Sequence, residues 1–194
     1  MKELFNASVI LKEMHKINDN NQIDPWYKCY TKEYYSVLLL DSVVHYEAMI
    51  QHLTGYIEKN PHNAIAFNNR GLAYLELGME EGLADMDRSI AIDNSKPQPH
   101  RVLAMFWETN NDFKLALQHY GKALALDNKD YSLYRSRSGV YEKMGEYDMA
   151  IEDISRAILL NPSFKNFFLH RGELYRRIGE VAKAIKDEET AERL

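Results

Sequence analysis

One period organises most of this chain: residues of one kind recur every 34 positions. Ala116, Ala150 and Ala184 are 34 apart, and Gly82 stands 34 before the first of them. Ser89, Ala123, Ala157 and Ala191 form a second ladder, and Met86, Tyr120 and Ile154 a third. Trp107, Tyr141 and Tyr175 form a fourth, and Asp93, Asp127 and Asn161 a fifth. Five ladders in phase mark a chain built from stacked copies of one supersecondary unit. Each copy buries its apolar side only against its neighbours.

The unit reads as helix, tight turn, helix, tight turn. Small residues at Gly82, Ala116, Ala150 and Ala184 let two helices approach closely, and Tyr74, Trp107, Tyr141 and Tyr175 fill the space between them. Between the two sets lie Gly78, Asn111, Gly145 and Gly179, residue types that end a helix just past its C-terminus. Helical spacing of apolar residues resumes at once, as in Tyr147, Ala150 and Ile151 after Gly145. The expected fold class is all-α.

The pattern resembles the tetratricopeptide repeat family, whose motif runs aromatic, Leu-Gly, Tyr, Gly, Ala, aromatic, Ala, Pro. Phe67, Gly71, Tyr74, Gly78 and Met86 supply the first copy, and Trp107, Phe113, Ala116, Tyr120 and Ala123 the second. Tyr134, Tyr141, Gly145, Tyr147, Ala150, Ala157 and Pro162 supply the third, and Phe168, Arg171-Gly172, Tyr175, Gly179 and Ala184 the fourth. The resemblance implies a right-handed solenoid of antiparallel helix pairs. It places a repeat domain over 61–194, with units of about 63–96, 97–130, 131–164 and 165–194. Repeat one is a residue short, because Tyr74 to Trp107 is 33. Arg70, Arg137 and Arg171 stand where the family has Leu, and His100 stands where it has an aromatic. Glu188 replaces a core residue, which suits an end repeat with solvent on its outer side.

Residues 1–60 read as a helical extension carrying a degenerate repeat. Leu4, Val9 or Ile10, Leu11, Met14 and Ile17 share a face of a helix over 3–17. Asp24-Pro25 reads as an N-cap and first helical position. Two helices, about 25–40 and 42–59, follow, or a single long bent one. Tyr27, Tyr30, Tyr34 and Tyr35 cluster here, as core of the degenerate repeat or as an aromatic partner surface. The extension is expected to cap repeat one; docking into the groove, or pairing two copies, is the alternative.

Composition excludes several classes. Acidic residues outnumber basic ones, 29 to 24, so the chain lacks the basic excess of a general nucleic-acid binder. Arg135, Arg137, Arg171, Arg176 and Arg177 cluster late and leave a local RNA-binding alternative. Cys29 is the single cysteine, so no intrachain disulfide and no cysteine-based zinc site can form. No apolar run approaches the roughly 20 residues of a membrane span, and the start does not look like a signal peptide. The chain reads as cytoplasmic. It has no His-Glu-x-x-His, no phosphate-cradling Gly-rich loop and no Gly-x-Ser-x-Gly elbow. No enzyme, catalytic residue, metal or cofactor is expected.

The resemblance implies that the first helix of each pair lines a concave face where partners bind. Asn68, Leu72 and Glu76 fall there in repeat one, and Arg101, Met105, Glu108 and Thr109 in repeat two. Arg135, Gly139, Glu142 and Lys143 follow in repeat three, and Asn166, Leu169, Glu173, Arg176 and Arg177 in repeat four. Arg101 and Arg135 are equivalent, one repeat apart. Neighbouring helices lie about 8–10 Å apart, so both guanidiniums can engage one acidic segment. The alternative is that they pair with Glu108, Glu142 and Glu173 on nearby turns. Some family members hold a chaperone's C-terminal carboxylate with a Lys and an Asn. The equivalent pairs here are Asn68/Leu72, Arg101/Met105, Arg135/Gly139 and Leu169/Glu173, which argues against that ligand. The expected function is an adaptor or scaffold that binds a peptide or protein partner. An immunity-type inhibitor of one cognate toxin enzyme is the alternative, and RNA binding comes behind both.

Overall fold

The computed structural model of the protein describes residues 42–194. Expectations for the helices over 3–17 and about 25–40, the four clustered tyrosines and Cys29 lie outside the described residues. Among the described residues there are nine helices and no strands. They are α1 (Ser42–Lys59), α2 (Ala64–Glu76), α3 (Glu81–Ile92), α4 (Gln98–Thr109), α5 (Phe113–Leu126), α6 (Tyr131–Lys143), α7 (Tyr147–Leu160), α8 (Lys165–Arg177) and α9 (Val181–Arg193). None of them is long and apolar enough to cross a membrane. The described residues divide into two compact units, one ending at Asn94 and the other Ser95–Leu194. In the first, α2 packs against α1 and α3; in the second, each helix from α4 to α9 packs against the next.

The helix ends fall where the glycines and one asparagine put them. Gly78, Gly145 and Gly179 adopt φ of +74°, +78° and +81°, and Asn111 adopts +62°. A left-handed residue turns the chain so that the next N–H reaches back over the last helical turn. Met79, Asp112, Glu146 and Glu180 each donate a backbone N–H at 2.9 Å, to the carbonyls of Tyr74, Trp107, Tyr141 and Tyr175. The aromatic that fills each helix pair therefore also accepts the bond that closes its helix.

The small-residue ladder is the contact between paired helices. Ala116, Ala150 and Ala184 are completely buried. In the first unit Gly82 takes this place and lies against the backbone of Gly71. Around these contacts sit the cores. In the first unit Met49, Leu53, Ile57, Ala66, Phe67 and Ala73 pack together. In the second, one cluster forms around Ala104, Tyr120 and Leu133 and another around Ile154, Phe167 and Leu174.

The arginines at the family's Leu positions are internal staples. Arg70 holds Asp85 through Nε and Nη2 at 2.7 and 2.8 Å. Arg137 holds Asp153 at 2.8 and 2.7 Å, and Arg171 holds Asp187 at 2.7 and 2.8 Å. Each guanidinium also lies 5.6–5.9 Å from two ring centroids on its own helix: Phe67 and Tyr74, Tyr134 and Tyr141, Phe168 and Tyr175. An arginine can replace leucine here because its planar head stacks on the rings while its fork neutralises a buried aspartate on the second helix. Repeat two has Leu103 and His119 at the equivalent positions. There His100, in the aromatic's place, meets His119 with the two Nδ1 atoms 3.3 Å apart.

Candidate functional site

In the second unit the first helices α4, α6 and α8 present three registers. Arg101, Arg135 and Leu169 form one row, Met105, Gly139 and Glu173 the next, and Glu108, Glu142 and Arg176 the third, each step being 34 residues. Within each helix the three positions are i, i+4 and i+7, so they share one face. Bonds along the third row tie the helices together. Lys143 Nζ on α6 donates to Glu108 Oε1 on α4 at 2.7 Å. His170 Nε2 on α8 lies 2.9 Å from Glu142 Oε2 on α6. Beneath them the buried Tyr120 hydroxyl donates to Glu108 Oε2 at 2.9 Å. Burial first, and then the Glu108 charge, push that hydroxyl far above the ordinary tyrosine range, so it remains a donor.

These bonds show which side chains hold the glutamates. Glu108 is held by Lys143, Glu142 by His170, and Glu173 by Arg177 at 3.3 Å. Arg176 forks onto Glu188 at 2.9 and 2.7 Å. Arg101 and Arg135 are both exposed, and neither has an ion-pair partner among the described residues. Leu169 is 44% exposed, Met105 and Glu142 are half-buried, and Glu173 and Arg176 are exposed. Of the five late arginines behind the RNA-binding alternative, Arg137, Arg171, Arg176 and Arg177 stand in ion pairs, and Arg135 does not.

In the first unit, taken by itself, the expected positions lie on α2. Leu72 is half-buried. Asn68 is buried at 5% exposure, and its amide donates to Asn69 Oδ1 at 3.1 Å. Burial also pushes the Glu76 carboxyl, at the end of α2, up to about 7. The native state thus holds a proton that the unfolded chain releases from its ordinary value of 4.5 upward. Stability contributed by this site is full below that value and falls as pH rises toward about 7, where the loss is complete. Glu76→Gln is therefore expected to stabilise the chain at about pH 8, by on the order of 1 kcal/mol for a partly solvated group, and to do nothing at about pH 4. Urea unfolding at the two pH values measures this; the same difference at both would refute it.

No group of three His, Cys, Asp or Glu side chains gathers as a metal site among the described residues. An open hollow of about 460 Å³ is lined by Asn60, Pro61, His62, Asn63, Ala64, Ile65, Ile92 and Asp93 in the first unit.

Residues 140–194, spanning α7 to α9, match the protein-family model described as tetratricopeptide repeat. That part of the chain is similar to tetratricopeptide repeats. Solved structures agree on the fold. A crystal structure of MamA aligns with TM-score 0.71 and 19% identity over 84% of this chain and 95% of that one. MamA from Desulfovibrio magneticus RS-1, from residue 41 to its end, aligns with TM-score 0.70 and 16% identity over 88% and 96%. Another MamA structure gives 0.67 and 21% over 75% and 80%. These likenesses establish an all-α helical-repeat solenoid. No curated protein matches the chain. The three arginine staples lie inside their helix pairs, whereas the rows of Arg101, Met105 and Glu108 lie on the first helices.

Proposed function

We propose that the chain is a protein–protein interaction module that holds an acidic segment of a partner protein across the first helices of its second unit. Arg101 and Arg135 are the charged anchors, Met105 and Leu169 supply apolar contact, and Glu142, Glu173 and Arg176 flank them. One observation supports this above all: among the described residues the nearby glutamates are committed to Lys143, His170 and Arg177, while the two equivalent arginines are exposed and outside ion pairs. Holding exposed guanidiniums one repeat apart presents two forks, each able to take a carboxylate through two hydrogen bonds.

The test is capture of the native partner by the wild type and by an Arg101→Glu, Arg135→Glu variant. Arg156→Glu on α7, a second helix, serves as the charge control. A bond to a charged group contributes about 1.5–3 kcal/mol, so losing two weakens binding by roughly 100-fold or more. The control is expected to bind as the wild type does. Full retention of the partner by the double variant, with helical circular dichroism unchanged, would move the interface off this face.

A further inference from the structure

Resting on that reading, we infer that the second unit recognises an extended partner segment in a fixed order: two acidic side chains and then, one repeat further on, an aliphatic one. The order is set by the row Arg101, Arg135, Leu169, whose members are 34 residues apart and all exposed. Where a third cation would continue the row, the chain places a leucine that is 44% exposed. An acidic side chain opposite Leu169 would lose water and gain no partner, whereas an aliphatic one would bury surface against it.

Gly139 provides a second, independent observation. It lies inside α6, where glycine is the least favoured residue after proline. Its φ is not positive, and a Cβ built on it would meet nothing within 4 Å, so neither a turn nor helix packing requires it. What it leaves is bare helix backbone one turn from Arg135, in the middle of the face, open to close approach by a partner's main chain. Gly55 and Gly121 are equally open, but they lie on α1 and α5, outside the row of first helices.

The spacing follows from the helices. The Lys143–Glu108 and His170–Glu142 bonds join α4 to α6 and α6 to α8, which makes the row continuous. Neighbouring helices are about 8–10 Å apart, and a segment in the extended polyproline II conformation advances about 3.1 Å per residue with three residues per turn, so one repeat spans about three residues and every third side chain faces the row. The segment is then Glu-x-x-Glu-x-x-Leu, or the same order met in the opposite chain direction, Leu-x-x-Glu-x-x-Glu. Asp serves for Glu, and another aliphatic residue for Leu.

Fluorescence anisotropy with synthetic peptides tests this on the full chain. Both directed Glu/Glu/Leu peptides with Gly-Ser spacers are compared with a Glu/Glu/Glu peptide. The proteins are the wild type, Leu169→Arg, Gly139→Phe and the Arg101→Glu, Arg135→Glu variant, each first shown to keep its helical circular dichroism. One directed Glu/Glu/Leu peptide is expected to bind the wild type about tenfold more tightly than the triple-acid peptide, and Leu169→Arg to invert that preference by adding a third fork. Gly139→Phe is expected to abolish binding of both. A wild type that binds the triple-acid peptide equally well, a Leu169→Arg protein with unchanged preference, or binding of no peptide would each overturn the ordered pattern. In those cases, loss of the native partner by the double arginine variant would still uphold the reading of this face. Retention of that partner would remove both.

Discussion

Replacing Gly82 with alanine is expected to destabilise the first unit by about 2–3 kcal/mol, although alanine is the better helix former. A Cβ at Gly82 would overlap the carbonyl oxygen of Gly71 and lie 2.6 Å from Leu75 Cγ. The first of these is backbone and cannot rotate aside, so α3 must move away from α2. Alanine's intrinsic helix advantage, about 1 kcal/mol, offsets part of this loss. Two sister substitutions calibrate the result. At Gly172 the nearest atom to an added Cβ is the Ala184 oxygen at 3.3 Å, so Gly172→Ala is expected to be nearly neutral. At Gly139 nothing lies within 4 Å, and Gly139→Ala is expected to stabilise by roughly 0.5–1 kcal/mol. Urea unfolding of the three variants, read as shifts in midpoint at constant slope, gives the order directly. Equal effects at Gly82 and Gly172 would refute the close crossing in the first unit.

The same contrast shows what was legible beforehand. Small residues at a 34-residue spacing mark a close contact, and the four breakers mark helix ends. Both are local chemistry: the absence of a side chain, or tolerance of positive φ, is a property of the residue itself. The structure places Gly78, Asn111, Gly145 and Gly179 in that conformation. The arginine staples were legible only as departures from the family pattern. Their partners lie 15 or 16 residues away on the other helix, beyond any local rule. A signal did exist. Arg70, Arg137 and Arg171 are followed by Asp85, Asp153 and Asp187, while Leu103 is followed by His119. Arginine and aspartate occur together and are absent together, as expected of two groups that neutralise each other.

The first-helix face was legible in direction but not in state. Helical spacing tells which way a side chain leaves its helix, not what packs over it. Asn68 shares the expected face with Leu72, yet it is buried. Nor can spacing decide which of several cations within reach takes a given glutamate. Arg101 lies seven residues before Glu108 on α4, but Glu108 is held from α6 by Lys143 and from α5 by Tyr120. Glu142 is held from α8 by His170. The repeat stacking, which local pattern does not encode residue by residue, is what leaves the two arginines outside ion pairs among the described residues.

Removing one member of a staple is expected to cost more than removing both. Asp153 is 3% exposed and holds Arg137 through two bonds, while the Arg137 side chain keeps 23% of its exposure. In Asp153→Ala the guanidinium stays between Tyr134 and Tyr141 with its fork unpaired, and only its open edge can recover water. The expected loss is about 3 kcal/mol, the low end for a broken buried pair because that edge is solvated. In the Asp153→Ala, Arg137→Leu double variant no buried charge remains, and the leucine enters the place that Leu103 fills in repeat two. Burial of its methyl groups replaces the aliphatic stem and ring contacts of the arginine. The double variant is therefore expected within about 1 kcal/mol of the wild type, with a coupling energy of about 2 kcal/mol or more between the two sites. Chemical denaturation of the four proteins of the cycle measures both values. If the double variant loses as much as the sum of the single ones, the staple holds the helix pair by packing rather than by charge neutralisation. The ion pair would then not be what allows arginine to stand at the family's leucine position.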